Sequence, residues 1–236
     1  MPLPDSAIDH DAKWLLERHW GSGHPPLPRR WIAREQDRVV RPHDFSVAMR
    51  RLCEDVCRRC PDLSHIQTDR LLLSVVAARN TSAYGLQARV TPMRFPEGAL
   101  TRLHRGKLYQ VQRYYVDGRE MLYVVTFCQP RFQEQTFEEK MITVFHELYH
   151  IGTRFDGDLR RHPGRCSMHT QSKRDYDRQM GLLVQRYLEK CPEPERYHFL
   201  RYTTRELSRR HGGIVGVSVP RPKMIPVGVN RSRTSH

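Results

Sequence analysis

The pentapeptide His146-Glu147-Leu148-Tyr149-His150 is the segment of this 236-residue chain whose residue types and spacing suit a reaction. On a helix, positions i and i+4 lie one turn apart on one face. Both imidazoles can then bind a single tetrahedral zinc ion, with the intervening glutamate beside the water that fills the open coordination position. Scattering the chain's 13 histidines and 13 glutamates at random produces this pattern in roughly 4% of such sequences, so the surroundings must carry the rest of the assignment.

Those surroundings predict a helix in the required phase. Thr136-Phe137-Glu138-Glu139 has the form of a capping box, which starts the helix at Phe137; it runs to about Ile151, with Gly152 as the expected C-terminal cap. Met141, Val144, Phe145 and Leu148 then form the core-facing stripe. Glu139, Thr143, His146, Glu147 and His150 fall on the other side. A catalytic zinc takes three protein ligands. The loop Phe155-Asp156-Gly157-Asp158-Leu159-Arg160-Arg161-His162-Pro163-Gly164 has enough glycine to fold back and return His162 as the third, with His169, Asp158 and Asp177 as alternatives. One zinc ion held by His146, His150 and His162, with Glu147 as general base toward the water, is the constellation of a peptidase acting on a peptide or protein.

Around that helix the patterning predicts an α+β domain over residues 41–211, flanked by a loosely ordered arm (1–40) and a flexible basic tail (212–236). Phe45 to Cys60 has a helical apolar period that ends at Pro61, and Leu71 to Val76 reads as a buried strand. Leu86 to Phe95 alternates as a second strand. Leu108 to Val116 and Met121 to Phe127 form a hairpin around Asp117-Gly118. The result is a mostly antiparallel sheet of about four strands, with Met121 to Phe127 as the strand beside the cleft. Packing helices follow over Ser172 to Lys190 and Pro194 to Arg210.

Several blocks resemble the phage and prophage metallopeptidase domains of the broad zincin group. They are Leu63-Ser64-His65-Ile66, Ala78-Arg79-Asn80, the Gly85 to Phe95 strand, His146 to Ile151, and Phe155 to His162, within a stretch from about Asp62 to Leu188. The resemblance implies a zinc-dependent hydrolase of compact zincin-like build with His162 as third ligand. It departs from metzincins, because Asp156 stands where their third histidine would be and Thr153 replaces the glycine they need.

The remaining features bound the reading. No run of about 18 apolar residues and no signal-peptide pattern occurs, so a cytoplasmic protein without a membrane span is expected. Cys53, Cys57 and Cys60 have the C-x-x-x-C-x-x-C spacing of radical SAM enzymes, but on a helix they make one stripe that reads as packing. The formal charge of +14 raises non-specific affinity for nucleic acid. A nucleic-acid-binding protein with a structural zinc site is thus one competing reading; an inactive zincin serving as an interaction module is another, to which the intact Glu147 is the objection.

Overall fold

The computed structural model describes residues 41–78, 85–161, 173–190 and 192–229; the amino-terminal arm expected over 1–40 lies outside them. The first pairing, β1 (His43–Asp44), leads directly into α1 (Phe45–Arg59). Asp44 caps this helix by accepting from the Val47 amide at 3.0 Å, and Phe45, Met49, Leu52, Cys53 and Val56 recur at helical spacing and are buried. The central sheet has the order β2 (Leu71–Ala77), β8 (Tyr123–Gln129), β3 (Ala88–Pro92). β2 runs parallel to β8 and β3 antiparallel. Every residue of β8 is buried, because it is flanked on both sides and covered on both faces.

This arrangement changes the expected sheet. The strand that ends at Phe127 is central, so it cannot lie beside a cleft as an edge; the edge that meets the motif helix is β3. Nor does one long hairpin form. Its turn is where the sequence placed it, with Asp117 at φ 49° and Gly118 at φ 75° between β6 (Tyr114–Val116) and β7 (Arg119–Met121). The arms are interrupted, however. A second left-handed turn at Arg105 (φ 49°) and Gly106 (φ 74°) joins β4 (Thr101–His104) to β5 (Lys107–Val111), which belong to a separate three-stranded sheet.

α2 (Phe137–Tyr149) carries the motif. Its capping box is formed in both directions, with the Glu139 amide donating to Thr136 Oγ1 at 3.2 Å and the Thr136 amide to Glu139 Oε2 at 2.8 Å. Met141, Val144, Phe145 and Leu148 are at most 1% exposed. At roughly 1.5–3 kcal/mol per buried side chain they contribute on the order of 10 kcal/mol before entropy is charged. The box adds about 1–2 kcal/mol, so the stripe makes the helix and the box fixes where it begins. At the other end Gly152 is not the left-handed cap; His150 closes the helix. A Cβ on Gly152 would lie 2.7 Å from the Asp158 carbonyl oxygen, and that close approach is what requires glycine.

α3 (Lys173–Glu189) packs on α2 through Tyr176, Met180, Leu183, Val184 and Tyr187. The helix expected over Pro194 to Arg210 is instead two 3-10 turns (Pro194–Arg196 and His198–Arg201) followed by α4 (Thr204–His211), which has its own capping box from Thr203 and Glu206. The carboxyl-terminal segment also departs from expectation. β9 (Ile214–Val215) pairs in parallel with β1, the Val75 amide donates to the Val217 carbonyl at 2.7 Å, and β10 (Met224–Val229) joins β5. Cys53, Cys57 and Cys60 are free and buried in the main core, where desolvation pushes the Cys53 thiol up to about 12 and the Cys60 thiol up to about 11. That is the behaviour of packed thiols.

Candidate metal centre

The two motif histidines stand together at the end of α2. Their ring centroids are 4.6 Å apart and the rings cross at 81°. The side chain of His146 is 19% exposed, whereas His150 is buried, so the last turn of the side opposite the core stripe is not a solvated surface. Tyr176 from α3 covers it, meeting His146 edge-on at 4.7 Å and stacking on His150 at 5.8 Å with 17° between the rings. On the following residue, Asp177 Oδ1 lies 4.0 Å from His146 Nδ1.

Glu147 is buried at 7% exposure, and its Oε2 accepts from the Val90 amide of β3 at 2.6 Å. Burial pushes its carboxyl up to about 7, partly countered by that hydrogen bond. The glutamate is therefore fastened to the edge strand of the sheet.

The loop after α2 is tightly organised. Tyr123 Oη accepts from the Gly157 amide at 3.0 Å and donates to the Asp158 carbonyl at 2.8 Å, while the Gly152 amide donates to the same carbonyl at 3.1 Å. Gly157 adopts φ +88°, and an added Cβ there would come within 2.4 Å of Arg94 Cγ. The Asp158 carboxylate accepts from the amides of Glu97 and Leu159, each at 2.8 Å, and from Arg161. Of the carboxylates open as third ligands, Asp158 is thus committed to holding the loop. By residue 160 the chain has returned to the motif, since the Arg160 amide donates to the His150 carbonyl at 2.7 Å and its guanidinium lies 3.8 Å over the Tyr149 ring. Arg160 Nε and Nη2 are buried without a hydrogen-bond partner among the described residues, and the side chain borders a depression shared with Pro92, Arg94 and Arg161.

Among the described residues, no three His, Cys, Asp or Glu side chains are assembled into a metal cage. His162 and His169 lie outside those residues. The donors that are described fit a zinc ion in kind: two imidazoles one turn apart, with a carboxylate at the margin. Sequence reading did not find the Val90 amide or Tyr176. The first is a backbone group with no sequence mark. Tyr176 shares the helical stripe of Met180, Leu183 and Tyr187, which marks it as buried without showing what it covers.

A mixed α+β chain with H-E-x-x-H on a capped helix, its glutamate at a sheet edge, has the build of the metallopeptidase class. The chain belongs to the family described as "Putative phage metallopeptidase", whose model matches residues 43–175, more than half of its length. No curated protein and no solved structure matches it. Among the described residues, no helix is long and apolar enough to cross a membrane.

Proposed function

We propose that this protein is a zinc-dependent peptidase with one metal ion held by His146, His150 and a third donor, His162. The observation that carries the reading is the juxtaposition of the two rings at 4.6 Å with the buried carboxylate of Glu147 between them in sequence. Return of the chain to His150 at residue 160 supports His162, two residues further on; Asp177 is the described competitor. Zinc in this position supplies Lewis acidity and a water of lowered pKa. Glu147, anchored through Oε2, keeps Oε1 to take a proton from water and pass it to the departing amine. The substrate is a peptide or protein whose extended backbone runs along the β3 edge. Free cysteines in the core suit a reducing, cytoplasmic setting.

The test combines metal analysis with hydrolysis of an unfolded protein. Glu147→Gln is expected to retain zinc and lose about 10²–10⁴-fold in turnover. His146→Ala and His150→Ala lose both, and comparison of His162→Ala with Asp177→Asn identifies the third donor by zinc content. Wild-type protein that binds no zinc, or near-normal hydrolysis by Glu147→Gln, refutes the proposal.

A further inference from the structure

The sheet formed by β4, β5 and β10 takes no part in the candidate metal centre, and its two faces differ sharply. Residues directly opposite each other in antiparallel strands share a face. Arg102 pairs with Tyr109 and His104 with Lys107, so these four side chains lie together; Leu103 with Leu108 and the Thr101–Gln110–Ile225 row lie on the other side. All of β4 is exposed, as are Arg105 at the turn and Lys107 after it. None of Arg102, Arg105 and Lys107 has an ion-pair partner among the described residues.

Charge around the sheet is one-sided over long stretches. From Gly98 to Val116 the sequence has Arg102, Arg105, Lys107 and Arg113 and no acidic residue, and from Leu207 through β10 no acidic residue occurs, while Arg221 and Lys223 stand just before that strand. Glu120 on the adjoining hairpin is already neutralised, with Arg94 and Arg113 each at 2.6 Å. A structural ion-pair surface would intersperse the two signs. This one presents cations to a partner that brings the anions.

We infer that the Arg102, Arg105 and Lys107 face of this sheet binds the phosphate backbone of double-stranded DNA, independently of base sequence and of the metal centre. Unpaired arginine and lysine side chains are the groups that neutralise phosphates, and their release of counterions makes such binding steeply salt-dependent. Serial aromatic platforms, on which single strands stack, are missing from the face, where Tyr109 is alone and in edge contact with His104 at 6.2 Å.

The experiment measures binding of the full chain to a fluorescent duplex of arbitrary sequence by anisotropy between 50 and 300 mM salt, about the range over which phosphate contacts weaken strongly. Wild type is compared with the Arg102→Ala/Arg105→Ala/Lys107→Ala variant. A control, Arg51→Ala/Arg186→Ala/Arg205→Ala, removes the same charge from exposed positions on the helices. The face variant is expected to bind at least about tenfold more weakly and to lose about 3 from the slope of log K against log salt, near 0.9 per phosphate contact. The control is expected to keep most of the affinity. Equal losses in the two variants mean net charge alone and overturn the inference, as do an unchanged slope in the face variant or tighter binding to single-stranded DNA or duplex RNA. Equal zinc content and melting temperature in all three proteins separate the outcome from folding and from the peptidase reading.

Discussion

Replacing Tyr123 with Phe removes one hydroxyl and, with it, the pin through the loop that follows the motif helix. The phenol is fully buried, accepts from the Gly157 amide at 3.0 Å and donates to the Asp158 carbonyl at 2.8 Å. The ring itself still packs against Phe155, whose centroid lies 5.2 Å away, so the substitution opens almost no cavity. The Asp158 carbonyl keeps the Gly152 amide as a donor and loses little. The Gly157 amide loses its partner outright, and an unsatisfied buried donor costs about 1–3 kcal/mol. Urea unfolding with metal chelated should therefore show Tyr123→Phe destabilised by about 2 kcal/mol with an unchanged m-value. If the loop returns the third ligand, zinc affinity measured by competition with a chromophoric chelator falls as well. A destabilisation below about 0.5 kcal/mol would show that water replaces the hydroxyl and that the loop is held by other contacts.

Two buried charges make predictions for pH in separate windows, with stability rising with pH in both. The Asp55 carboxylate, on α1, accepts from Arg58, from Arg59 at 2.9 Å and from Tyr187 Oη at 2.8 Å. Burial alone would raise its pKa, but these donors outweigh it and hold the carboxyl below the usual carboxylate range. Its stabilisation is present above the unfolded-state pKa and is lost as pH falls through the folded one, so Asp55→Asn should flatten the acid limb of a stability–pH curve. Lys140, 1% exposed, donates from Nζ to the carbonyls of Leu200 at 3.0 Å and Tyr202 at 2.8 Å, and burial brings its pKa from 10.5 to about 8. The unfolded chain binds the extra proton between those values, so stability from this group rises with pH across that window by about 2–3 kcal/mol. In Lys140→Met that rise should be missing from denaturation curves recorded between pH 8 and 10; an identical rise in the variant would refute the assignment.

What the sequence revealed about the site was local. The helix phase, the capping box and the His–Glu–His spacing are all decided within α2, and the structure places them accordingly. What it concealed was pairing. β8 is buried on both faces, so its sequence lacks the alternation that tells an edge from a centre, and only the sheet order identifies β3 as the exposed margin. Arg105-Gly106 escaped notice because arginine is an uncommon occupant of a left-handed turn, whereas Asp117-Gly118 is a recognisable pair. Residues 214–229 have no period of their own. Their bonds go to distant groups: the Val217 amide to Ser46 Oγ at 2.9 Å and the Val219 amide to Ser74 Oγ at 2.8 Å. The place of Glu147 on the helix face opposite the core stripe was legible, but its attachment to the Val90 amide was not, because a backbone donor 57 residues away has no side chain to announce it.

The Val75–Val217 bond has a consequence for solubility. A strand margin left bare is a template for a second copy of the same chain. By meeting β2 at this bond, the carboxyl-terminal segment occupies part of the parallel side of the central sheet, and the other margin of that sheet is β3, beside Glu147. A stretch with the composition of a dispensable tail thus occupies one margin of the central sheet and leaves the other, beside Glu147, open to another chain.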